Sequence, residues 1–72
     1  MKKEEITQKL EVLIPHWISH NEEHVSEYRK WADRLESEGL VVTAERLRQA
    51  ADLVMASNRH FQEARTTLGD VV

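Results

Sequence analysis

Between Lys3 and Glu38 only Pro15 can interrupt a helix, and between Leu40 and Leu68 nothing can; Gly39 stands alone between the two stretches. So few breakers leave little scope for anything but two long helices. Their apolar residues recur at helical spacing. Taking about 100° per residue from Trp17, the residues Leu10, Leu13, Ile14, His20, Asn21, His24, Tyr28, Trp31, Ala32 and Leu35 fall within about 60° of one line. A second line, measured from Phe61, holds Leu47, Ala50, Val54, Ser57, Ala64 and Leu68.

Gly39 after Glu38 is a strong stop signal. It can take the left-handed position past a helix end, with Leu40 folding back towards Leu35. Thr43 is the expected N-cap of the second helix and Gly69 its expected end. A short connection between two amphipathic helices favours an antiparallel pair, so the chain is expected to be all-α, one helical-hairpin domain over 1–72. Pro15 removes the hydrogen bond to the Glu11 carbonyl and disfavours helical dihedrals at Ile14, so the first helix is expected to be kinked or broken there. With simple antiparallel register, residues at one height have numbers adding to about 82.

Chains of this length bury only about 60% of their unfolded surface, and a lone hairpin less. There is no cysteine to add a disulfide. Self-association is the expected remedy: a homodimer closing a four-helix bundle, or a higher homo-oligomer. Recurrence of Ala50, Ser57 and Ala64 every seven residues fits close helix packing. With 10 basic and 13 acidic residues interspersed, no basic face offers itself to nucleic acid. No apolar run approaches the roughly 20 residues of a membrane span, nor does an apolar segment follow the first lysines. A soluble, cytoplasmic protein is expected.

Three histidines, His16, His20 and His24, are spaced by four and stack on one side of the first helix. His24 is expected near the middle of the apolar line, His20 inside it and His16 at its edge. The register sets His60 between the heights of His20 and His24. Imidazole suits zinc or nickel, and two histidines at i and i+4 can share one ion. His20, His24 and His60 are therefore the candidate ligands of a transition metal, with His16, Glu23 and Glu27 as additions. Glu23 and Glu27 are a like-charge i,i+4 pair, costing about 0.2–0.5 kcal/mol, which a cation would relieve. Glu27 is also placed to orient an imidazole.

The competing reading is a non-enzymatic oligomerisation or adaptor module, in which the histidines form a polar layer that fixes register and binds nothing. A di-iron carboxylate bundle fits less well, because Asn21 stands where Glu-x-x-His would place its carboxylate. Bis-histidine haem fits poorly with close packing at the small residues. Neither a nucleophile motif nor a glycine-rich phosphate loop is present, and no enzyme activity is expected.

The run Leu13-Ile14-Pro15-His16-Trp17-Ile18-Ser19-His20-Asn21-Glu22-Glu23-His24, followed by Tyr28-Arg29-Lys30-Trp31-Ala32, resembles a small uncharacterised helical domain of prokaryotes. Its members look like Leu-Pro-His-Trp-Ile-x-His-Asn-x-Glu-His followed by an aromatic and Trp-Ala. The resemblance spans roughly residues 10 to 68. It implies an α-helical domain and carries no established activity.

Overall fold

A computed structural model describes residues 2–71. Two helices make up the chain, α1 (Lys3–Ser37) and α2 (Val41–Val71), side by side and antiparallel. The hairpin is a rod of 53 × 15 × 14 Å. α1 runs unbroken through Pro15, so the proline does not divide it. Glu4 and Glu5 in its first turn and Arg34 in its last complement the helix dipole.

The turn is a complete Schellman motif. Gly39 takes φ +84°, its N–H donates to the Glu36 carbonyl at 2.9 Å, and the Leu40 N–H donates to the Leu35 carbonyl at 2.9 Å. Two expectations are corrected here. Thr43 is not the N-cap, because Gly39 alone reverses the chain and Leu40 already accepts the first bond of α2, from the Ala44 N–H at 3.0 Å. Gly69 does not end α2, which continues to Val71. A glycine past the last apolar contact stops a helix only when it turns left-handed, and among the described residues Gly39 is the one glycine with positive φ.

The buried seam follows a seven-residue repeat. Thr7, Ile14, Asn21, Tyr28 and Leu35 form one row of α1 and Ile18, Val25 and Ala32 another, all buried or half-buried. On α2 the rows are Ala44, Ala51 and Asn58, and Leu47, Val54, Phe61 and Leu68. This is the 3.5-residue spacing of a coiled-coil seam. Ala32, Ala44 and Ala51 have no exposed surface, so the backbones approach closely through these three alanines. The expected stripe of Ala50, Ser57 and Ala64 is not that surface, since Ala50 and Ala64 are exposed and Ser57 is half-buried.

Both expected apolar lines are therefore displaced. The seam on each helix lies about 45–50° round from the line drawn through Trp17 or Phe61, taking about 100° per residue. Because the helices are antiparallel, the same sense of rotation on each carries the remainder of both lines to one side of the hairpin. There Ile6, Leu13, Trp17 and Trp31 stay 39–50% exposed. Among the described residues no helix is long and apolar enough to cross a membrane.

Candidate functional site

The exposed side carries a ladder of four rings on successive turns of α1. His16 stacks on His20 with centroids 6.2 Å apart, His20 meets His24 edge-on at 4.4 Å, and His24 stacks on Tyr28 at 5.9 Å. Spacing by four residues makes each ring the neighbour of the next. Only Tyr28 is half-buried; the three histidines are exposed. Trp17 flanks the ladder, tilted against Phe61 of α2 at 6.0 Å. At the far end Trp31 donates from Nε1 to Glu27 Oε1 at 3.1 Å, and the Arg34 guanidinium lies over its ring.

Beneath the ladder, inside the seam, lies one polar layer. Asn21 Nδ2 donates to Asn58 Oδ1 at 2.9 Å, and Asn58 Nδ2 donates to the Ile18 carbonyl at 3.3 Å. Ser57 donates to the Val54 carbonyl at 2.6 Å. Asn58 is 6% exposed, and among the described residues no buried side-chain polar atom lacks a partner. The two amides bond each other, and among the described residues no hydrogen bond runs from this layer to a histidine.

These positions revise the expected ligand set. His20 and His24 are adjacent, as spacing implied. His60 is on the outer edge of α2, exposed, with Nδ1 3.8 Å from Glu63 Oε2. The Trp17–Phe61 and Asn21–Asn58 pairs set it level with Ile18 and Ser19, between His16 and His20 and not between His20 and His24 as the simple register would set it, and it points to its own helix's carboxylate. Glu27 is engaged with Trp31, and Glu23 is exposed beside the ladder. Among the described residues of one chain, no three of His, Cys, Asp and Glu converge closely enough to hold a metal ion.

The other side of the hairpin is charged, and sequence reasoning missed it. Arg48 makes two bonds of 2.9 Å, to Asp33 and to Glu36, and Arg29 meets Asp52 at 3.3 Å. The bonds to Asp33 and then Glu36 hold the Arg48 guanidinium above its ordinary pKa. The expected antiparallel register, with numbers adding to about 82, already sets Arg48 near Asp33 and Arg29 near Asp52.

No curated protein and no solved structure matches the chain. A family model described as a domain of unknown function, DUF8180, matches residues 10–68, a span that takes in the turn, the ring ladder and nearly all of the seam. The chain belongs to that family.

Proposed function

We propose that this chain is a self-association module: a second copy covers the side bearing Trp17, Trp31 and the ring ladder, giving a dimeric four-helix bundle. One observation carries the reading. The hairpin exposes 5589 Å², whereas a compact monomer of 8.4 kDa exposes about 4,600 Å² by the usual mass scaling. That excess of about 1,000 Å² compares with the roughly 800 Å² that one partner contributes to a standard interface.

Shape supports a second copy as the occupant. The uncovered side is small on α2, at Ala50, Ser57 and Ala64, where α2 can lie close against its own copy. It is bulky on α1, at Leu13, Trp17 and Trp31, where the aromatics of two copies can bury one another. The thin core points the same way, because Ile14 and Val25 are its only buried apolar residues larger than alanine among those described. Tryptophans centred in such a patch are the residues expected to dominate binding.

Sedimentation of the chain at micromolar concentration tests the proposal. The expected result is a dimer that Trp31→Glu converts to a helical monomer. A stable, folded wild-type monomer at that concentration overturns it.

A further inference from the structure

We infer that His20 and His24 of one copy, with His20 and His24 of a second, form a four-imidazole site for a divalent transition metal ion on the two-fold axis of the dimer. The inference rests on the self-association reading, and one chain alone does not complete the site.

Its first support is the pair itself. Two ring nitrogens on one tetrahedral zinc ion, each about 2.0–2.1 Å from it, lie about 3.4 Å apart. Rings with centroids 4.4 Å apart reach that separation by side-chain rotation, and both are on the open side of the hairpin. One ion held by two histidines retains two coordination positions for ligands from elsewhere.

The second support is register. The small residues Ala50, Ser57 and Ala64 are symmetric about Ser57. Asn21–Asn58 and Trp17–Phe61 contacts set Ser57 at the height of Glu22, midway between His20 and His24. If α2 packs on its own copy through the small residues, the two-fold axis passes at that height. Antiparallel α1 helices then bring His20 of one copy against His24 of the other. Close approach on the α2 side, with Trp17 and Trp31 propping α1 from its copy, leaves the gap that converging imidazoles need.

The third support is polarity. A dimer of this kind removes the histidines from water, and each buried ring nitrogen then requires a partner. Asn21 Nδ2 donates to Asn58, Asn58 Nδ2 to the Ile18 carbonyl and Ser57 to the Val54 carbonyl, and none of these bonds reaches a histidine. A metal ion supplies the missing partner for one nitrogen of every ring. Four neutral imidazoles without sulfur or carboxylate favour zinc and its neighbours over magnesium or calcium.

The test is titration of chelator-stripped full chain with zinc, read by a competing chromophoric chelator and by sedimentation, with cobalt(II) as a spectroscopic substitute. Expected are one zinc per two chains, a tighter dimer when zinc is present, and the visible bands of tetrahedral cobalt. His20→Ala and His24→Ala should each lower affinity by about 100-fold or more, while His16→Ala and His60→Ala change it less than about threefold. All four side chains are exposed in the hairpin, so circular dichroism should show the variants helical.

A dimer that binds zinc no tighter than micromolar overturns the metal site and leaves self-association standing. A monomer with and without zinc overturns both. Zinc bound one per chain, or lost on His60→Ala, overturns the shared four-histidine arrangement.

Discussion

The two sides of this hairpin manage the same two helices differently. On one side, Arg48 ties Asp33 and Glu36 together and Arg29 meets Asp52, so polar groups from both helices complete one another within a single chain. On the other, the tryptophans and histidines contact mainly their neighbours along α1, with Trp17–Phe61 the one aromatic bridge between helices among the described residues. A finished surface needs no partner, whereas one that exposes large aromatics in a row leaves burial to be gained by association. The contrast separates the seam, which sets the shape of the hairpin, from the open side, on which the proposed self-association rests.

Trp17→Ala is the sharpest way to break that contrast. Trp17 is 39% exposed in the hairpin. If a second copy covers it, truncation should destabilise the chain by about 3–5 kcal/mol in urea unfolding at high protein concentration, as for a core aromatic. The loss should shrink markedly at concentrations where the wild type is itself monomeric. A loss independent of concentration would mean that the open side contributes only its contact with Phe61.

Next in size is Asn58→Ala, which touches the layer common to both sides. It removes the acceptor of Asn21 Nδ2 and the donor to the Ile18 carbonyl, at a position 6% exposed. Stranding those groups should cost about 1–3 kcal/mol. Replacing both asparagines by leucine should cost far less or even stabilise, at the expense of register, which cross-linking at engineered cysteines would reveal.

What the sequence disclosed follows the range of each signal. The turn at Gly39 was legible because a Schellman motif is local: one glycine, one leucine and the carbonyls of Arg34, Leu35 and Glu36. Thr43 misled because N-cap preference is weak against a turn that Gly39 had already closed. The phase of the buried face was displaced because apolar residues lie on the open side as well as in the seam, and one line through all of them falls between the two. The row Ile14, Asn21, Tyr28 and Leu35, spaced by seven, held the missing information, hidden by an asparagine in a core position. The histidine pair was legible from spacing alone; the outward placement of His60 was not, because it depends on that phase.

Gly39→Ala sharpens the comparison from the end where both sides meet. The glycine has φ +84°, and an added Cβ would touch nothing within 4 Å. The cost is therefore that of the left-handed backbone alone, about 1–2 kcal/mol, without steric clash. It should appear in urea unfolding as a lower midpoint with unchanged slope. Zinc affinity and dimer mass should be untouched, because the turn is remote from His20 and His24.

The smallest effect belongs to the charged side. Arg48→Met removes both ion pairs to Asp33 and Glu36 while keeping most of the aliphatic stem over the seam. Exposed ion pairs gain little from a solvent that screens them, so the change should be barely measurable at physiological salt and vanish at high salt. The bonds to Asp33 and Glu36 raise an already high Arg48 pKa, so the guanidinium keeps its charge at every working pH and no pH dependence comes from Arg48 itself. The wild type should therefore hold its small advantage over Arg48→Met only at low salt, read as melting temperatures that converge as salt is added. A large loss at Arg48 that persists in salt would place the critical surface of this hairpin on its charged side and shift the expected site of assembly there.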